Sequence, residues 1–317
     1  MQRRPFGKTA LQVTPICFGT AALGNMPDDY ALRVPEDQAL ATLEAALNSP
    51  VNFLDTAASY GDGESERRIG LVLQRPGGLP NTLVLATKAD RNLQTGDFSG
   101  DQIKRSVERS LELLGLERLQ VVHLHDPEHT TFEQVMAPAG PVDVLKDFQR
   151  QGVIQYLGIS GGPIDMLIRY VQTDAFDAVV THNRYTLLNR TAAPLLDLAS
   201  NRGLAVINAA PYGSGLLVVG PDAYPRYAYQ PAPEDVLARA RQIADVCRRF
   251  DVPLAAAALQ FSVRDPRITS TIVGPTRPEH VSETLRLLEH PIPDDLWPAL
   301  EPFGAWSEDP EKNRWSR

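Results

Sequence analysis

Short apolar runs alternate along this chain with longer stretches in which apolar residues recur at helical spacing. The runs lie at residues 16–19, 51–55, 83–88, 121–125, 154–160, 178–181, 204–209 and 271–274. Each is nearly continuous in Val, Ile, Leu or Ala, which is the pattern of strands covered on both faces. Between them, Ala39, Leu40, Leu43 and Leu47 form one apolar stripe, Ile103, Val107, Leu111 and Leu114 a second, and Val236, Ala240, Ile243, Cys247 and Phe250 a third. Such stripes belong to helices lying on a sheet. Ser99 and Gln102 have the spacing of a capping box at the start of the second. Alternation of this kind predicts parallel βα units. Eight units without a break in composition predict one (β/α)8 barrel over residues 1–317, an α/β TIM barrel with an N-terminal hairpin around Gly7-Lys8 and a C-terminal extension.

The Pro-rich segment 221–233 then reads as an insertion after the seventh strand rather than a linker. The tail beyond Pro293, with Trp297, Trp306 and Trp315, has two readings: it folds over the barrel mouth, or it packs as an ordinary terminal extension. At 317 residues, length alone fits one large barrel or two ordinary domains. Hydrophobic residues make up 43% of the chain, enough for a large core, and the net charge of −8 argues against a general nucleic-acid or anionic-membrane surface. The arginines near the N-terminus precede no apolar stretch, and the most apolar later stretch, 253–261, is too short to span a bilayer. Cys17 and Cys247 provide no disulfide framework. A cytoplasmic protein acting on a small molecule is expected, with its oligomeric state undetermined.

Candidate chemistry sits at the strand ends. Asp55 closes one run, Lys88 the next and His125 the one after, while Tyr60 follows Asp55 by five residues. In a closed parallel barrel these side chains converge on the face that carries catalysis. A phenol is a poor proton donor at neutral pH, so an adjacent ammonium is expected to pull the Tyr60 pKa down. Lys88 supplies that ammonium, Asp55 holds it, and His125 hydrogen-bonds a substrate oxygen. No Gly-x-Gly-x-x-Gly follows a strand, and Gly61-Asp62-Gly63 is only a loop, so a Rossmann cofactor site has no support.

The four residues, in that order, resemble the aldo-keto reductase superfamily, whose members move hydride between a nicotinamide cofactor and a carbonyl or alcohol. The resemblance runs over essentially the whole chain and implies that Asp55, Tyr60, Lys88 and His125 are catalytic. It further implies cofactor contacts from Gly19, Thr20 and Asp55, and from Ser160 after the fifth strand, where Gly161 replaces the usual Asn. His182 stands where the family commonly has Gln. The segment 208–217 matches the pyrophosphate loop, giving Tyr212, Gly213, Ser214, Gly215 and Leu216, although Ala209 replaces a Tyr that often stacks on the nicotinamide. Downstream, Gly274, Thr276, Arg277, His280 and Glu283 match the adenosine segment. Gly274 and His280 replace a Lys and an Arg of phosphate-preferring members. Arg277 remains to meet a 2′-phosphate, which favours NADP(H), with NAD(H) as the alternative.

Around His125-Asp126-Pro127-Glu128 and residues 183–188 the chain resembles the aldose 1-dehydrogenase branch that acts on L-fucose, L-galactose and related sugars. The implied activity is interconversion of carbonyl and alcohol, or lactol and lactone, on a small sugar or sugar-derived aldehyde. Leu23, Tyr60, His125, Asp126 and Tyr212 are expected to line the substrate pocket. Asp126 has two readings: an acceptor for sugar hydroxyls, or a partner that orients His125 or nearby backbone. Two rival functions remain. A regulatory protein of the same fold, like the potassium-channel β subunits that hold NADP, would not need the intact catalytic set. A metal-dependent barrel hydrolase would use His123-x-His125, two imidazoles on one side of a strand. The further ligands of such a site are not placed, and no metal is expected.

Overall fold

The computed structural model describes residues 1–27, 32–75, 80–304 and 308–311. Eight parallel strands close into a barrel: β1 (Ile16–Gly19), β2 (Phe53–Asp55), β3 (Val84–Ala89), β4 (Leu119–His125), β5 (Ile154–Ser160), β6 (Ala178–His182), β7 (Ala205–Ala209) and β8 (Ser270–Val273), with β8 pairing both β7 and β1. The eight expected strands are all present, with ends that move by one or two residues. Side chains alternate across each strand. Cys17, Phe53, Val84, Ala86, Val121, Val180 and Ile207 therefore fill the interior, while Phe18, Leu54, Leu85, Val122, Leu157 and Val179 pack outward with the helices.

The expected hairpin pairs Arg4–Pro5 with Gln12–Val13. Phe6 and Val13 are fully buried and belong to the interior cluster, with Phe6 edge-on to Phe53 at 5.8 Å. The hairpin thus plugs the N-terminal end, leaving the C-terminal end of the strands for chemistry. The three expected stripes lie on helices Glu36–Leu47, Gly100–Leu114 and Glu234–Arg249, the last ending just before Phe250. The capping box at Ser99 forms by half. Ser99 accepts the Gln102 N–H at 3.3 Å, but the Gln102 side chain donates to the Asp90 carbonyl instead of turning back.

Residues 221–233 follow β7 as expected and carry a small hairpin, Arg226–Tyr227 with Gln230–Pro231, turned through Ala228 and Tyr229 at positive φ. The tail divides. Trp297 lies over the Arg264 guanidinium, 4.3 Å from ring centre, where helix Leu254–Val263 ends before entering β8. That is the barrel end opposite the mouth, so Trp297 does not cover the site. Residues 308–311 do reach the mouth, at the end of β6, whereas Trp306 and Trp315 lie outside the described residues. Cys17 and Cys247 are free and buried, and no helix among the described residues is long and apolar enough to cross a membrane.

Candidate active site

Parallel register brings the strand-end residues together. Asp55 pairs with Gly19 on one side and Ala86 on the other, Lys88 lies opposite His123, and His125 lies opposite Ser160. Lys88 is buried and its ammonium donates to Asp55 Oδ1 at 2.5 Å, to the Thr56 carbonyl at 2.7 Å and to the Tyr60 hydroxyl at 3.1 Å. All three ammonium protons are thereby engaged. Tyr60 is set by backbone contact: a Cβ on Gly61, whose φ is +62°, would lie 2.0 Å from the Gly24 carbonyl oxygen, and one on Gly24 would lie 2.8 Å from the Tyr60 carbonyl carbon. Only side-chain-free residues allow this approach, which presses the Leu23 turn against Tyr60.

The imidazole of His125 stands edge-on to the Tyr60 ring, with centres 5.9 Å apart. Its Nδ1 lies 2.7 Å from Asp90 Oδ1 and its Nε2 lies 3.4 Å from Asp126 Oδ1. Asp126 adopts φ +48°, a conformation rare for a side-chain-bearing residue. Asp90 is fixed in turn, since its Oδ2 accepts the Ser59 N–H at 2.9 Å and its N–H donates to Ser106. Burial lowers the His125 imidazole, but the charges of Asp126 and Asp90 outweigh it and the net shift is upward.

Tyr60 departs from expectation. Its phenol is not pulled down but raised well above its ordinary value, first by burial and then by Asp55, Tyr229, Asp126 and Asp90. The physical reason is that burial disfavours the phenolate most of all, and the neighbouring carboxylates add to it. Asp55 is itself raised by burial, with Lys88 opposing, and its Oδ2 is buried without a partner.

The residues expected at the cofactor stand at the ends of β1, β2, β5 and β6 and in the segments that follow β7 and β8. Thr20 follows Gly19 at the end of β1 and donates to the Asp55 carbonyl at 3.0 Å. Ser160 closes β5, and its carbonyl accepts the Asp126 N–H at 2.8 Å. A Cβ on Gly161 would lie 2.8 Å from Glu128 Oε2, so Glu128 closes against the place where a longer residue would stand. Gly213, Ser214 and Gly215 have φ of 58°, 62° and 115° and make a tight turn in which the Gly213 and Gly215 N–H groups donate to the Ala210 and Tyr212 carbonyls, before the buried Leu216. Gly274 has open space beside it, its would-be Cβ meeting only the Gly19 oxygen at 3.7 Å. Arg277 caps helix Pro278–Glu289 with an exposed side chain whose Nε is 4.0 Å from Glu279. His280 turns back on Thr276, with Nδ1 3.2 Å from its hydroxyl. The glycine-rich turn, the open space at Gly274 and the exposed Arg277 guanidinium fit a pyrophosphate-linked dinucleotide.

Two expected residues have other partners. Tyr212 packs between the apolar layers outside the barrel and its phenol senses Glu283, while Tyr229 of the insertion is the phenol that senses Tyr60. His182 Nε2 lies 3.1 Å from Glu311 Oε2. Glu311 also accepts from Asn183 at 2.7 Å, and Asp309 accepts from Nη2 and Nε of the buried Arg184 guanidinium at 2.7 and 2.8 Å. The sequence reading missed Asp90, Tyr229 and Glu311. Asp90 had a signal: two residues past Lys88, it falls on the same side of the strand. Glu311 had none, because it meets its partners across 128 residues of chain. His123 is buried one layer below His125, beside Gly158, with neither nitrogen partnered. No three His, Cys, Asp or Glu side chains are grouped as metal ligands among the described residues.

Residues 15–304 match the model of the Aldo/keto reductase family. The chain is 32% identical to D-threo-aldose 1-dehydrogenase of a Pseudomonas species, covering 92% of this chain and 94% of that protein. It is 28% identical to pyridoxal 4-dehydrogenase of Microbacterium luteolum, covering 96% and 98%. Among solved structures, the holo form of aldo-keto reductase AKR11C1 from Bacillus halodurans superposes with a TM-score of 0.78 at 22% identity, covering 99% of each chain.

Proposed function

The chain belongs to the aldo/keto reductase family and is an oxidoreductase, and we propose that it moves hydride between a nicotinamide cofactor and the aldehyde or lactol carbon of a small sugar. The observation that carries this reading is the chain of contacts from Asp55 through Lys88 to the Tyr60 hydroxyl at the barrel mouth. The bound nicotinamide would supply or accept the hydride. In reduction, Tyr60 gives its phenolic proton to the carbonyl oxygen, and the Lys88 ammonium stabilises the phenolate left behind. In oxidation the reverse holds: Tyr60 must first give up its proton, and the phenolate, held by the Lys88 ammonium, takes the proton from the hydroxyl. The raised Tyr60 pKa keeps the phenol protonated at rest, which is the form reduction needs. An intact proton-transfer set of this kind favours turnover over a purely regulatory role.

The sugar reading draws on Asp126 and His125, which offer hydrogen-bonding groups at the barrel mouth, and on the aldose in one relative's name. A site built around hydroxyls leaves a buried polar group unpaired when an unadorned aldehyde binds, at a cost of about 1–3 kcal/mol. NADP(H) is the proposed cofactor because Arg277 stands exposed at the start of the last helix. NAD(H) is the second reading, favoured by Glu279 beside that guanidinium. The test is a turnover panel of pentoses, hexoses, pyridoxal, butanal and benzaldehyde, with both cofactors and in both directions. A pentose or hexose is expected to give a higher kcat/KM than butanal or benzaldehyde. Higher values for the hydrophobic aldehydes throughout would overturn the sugar assignment.

A further inference from the structure

We infer that Asp90 is a positioning residue that holds His125 as a doubly protonated imidazolium, with Nδ1–H bound to Asp90 and Nε2–H directed to the barrel mouth. The geometry sets a carboxylate oxygen against each ring nitrogen. Asp90 Oδ1 lies 2.7 Å from Nδ1 and Asp126 Oδ1 lies 3.4 Å from Nε2. A neutral imidazole carries one N–H, so it would turn a lone pair toward one of these carboxylates. The imidazolium satisfies both. Asp90 is built to remain the acceptor: it is 3% exposed, its second oxygen is occupied by the Ser59 N–H, and its own N–H is anchored by Ser106. It also keeps its proton off, being lowered overall by His125 and the Ser59 contacts against the effect of burial. Asp126, by contrast, is half-buried at the mouth, and its contact to Nε2 is long enough for a substrate oxygen to take its place.

In the Tyr60-centred reaction proposed above, on which this role rests, a fixed positive charge at His125 would face the oxygen as it gains negative charge in reduction. The consequence is a division of work: Tyr60 moves the proton and His125 supplies the charge. The groups that face this ring from neighbouring elements are Lys88 of β3 and Asp90 just after it, His123 of β4, Asp55 of β2, Ser59 and Tyr60 of the loop after β2, and Asp126. Behind these, Glu66 faces Asp90 and Glu128 faces Asp126, each a carboxyl raised to about 7 by burial.

The test uses the free protein, so that it fails or succeeds apart from any substrate assignment. Nitrogen-15 resonances of the histidines are followed with pH in the unmodified chain, in Asp90→Asn and in Asp126→Asn, with His125 assigned by its loss in His125→Gln. Both His125 nitrogens should be protonated at pH 7 in the unmodified protein. In Asp90→Asn the midpoint should fall by about 1 pH unit or more, a roughly tenfold change in the protonation equilibrium. A neutral His125 at pH 7 in the unmodified protein overturns the inference, and that measurement stands even if Asp90→Asn does not fold. So does a midpoint that falls in Asp126→Asn but not in Asp90→Asn.

Discussion

At the scale of single residues, the site is governed by how few charges are left unspent. Lys88 divides its three protons among Asp55, Thr56 and Tyr60, so its charge is shared before any substrate arrives. Burial, with the carboxylates around it, keeps the proton on Tyr60, and the loss of that hydroxyl should be felt in chemistry rather than in binding. Tyr60→Phe keeps the ring that packs edge-on to His125 and removes only the oxygen. Turnover should drop by about a hundredfold or more, the usual scale for a lost general acid or base. Cofactor affinity should change little. Single-turnover kinetics and a fluorescence titration read the two separately, and near-normal turnover would take Tyr60 out of the mechanism. Asp55, Lys88 and His125 were legible in the sequence because each closes an apolar run, and Tyr60 because it follows Asp55 so closely. What could not be read was how deeply the phenol is buried and which carboxylates surround it, and these reverse the expected direction of the Tyr60 shift.

Elements were legible by periodicity, and their ends were not, because polar side chains decide where strands begin. Residues 51 and 52 were expected in β2, but the buried Asn52 uses its side chain to accept the Thr14 N–H and to donate to the Gln12 and Thr82 carbonyls, and the strand starts at Phe53. Ser270 was left out of β8, yet its hydroxyl bonds the Thr14 carbonyl at 2.9 Å and draws it in. The same kind of local chemistry governs the last helix. Pro278–Glu289 begins with Arg277 as its cap, and the helix N-terminus adds its own partial positive charge to that of the guanidinium. Because Gly274 is uncharged and His280 is turned onto Thr276, the proposed preference for NADP(H) rests on Arg277. Arg277→Ala should weaken NADP(H) by roughly 1.5–3 kcal/mol and NAD(H) by much less. Titration of each cofactor by protein fluorescence measures both losses. Equal losses would show that Arg277 does not read a 2′-phosphate.

Across the whole molecule, the barrel is closed at one end by the chain's beginning and braced at the other by its last described residues. The hairpin plug could be anticipated from its turn, whereas the tail's attachment depends on pairs far apart in sequence that no periodicity encodes. Glu311 is buried against His182 and Asn183, and Asp309 is bound to Arg184, a guanidinium with no exposed surface. Burial alone would raise the Glu311 carboxyl, but His182, Arg184 and Asn183 outweigh it and bring it down from 4.5 to about 2. A carboxyl lowered in the folded state stabilises folding fully above its unfolded value and loses that contribution as pH falls through the folded one. The window here runs from about 4.5 down to about 2. Glu311→Gln removes the titrating group, so at pH 7 the variant should be less stable, by on the order of 3 kcal/mol. The gap should narrow by roughly half or more at pH 3, where the unmodified carboxyl has begun to take up its proton. Urea unfolding of both proteins at pH 7 and pH 3 measures it. A gap of the same size at both pH values would mean that the carboxylate charge of Glu311 does not hold the tail against the barrel mouth.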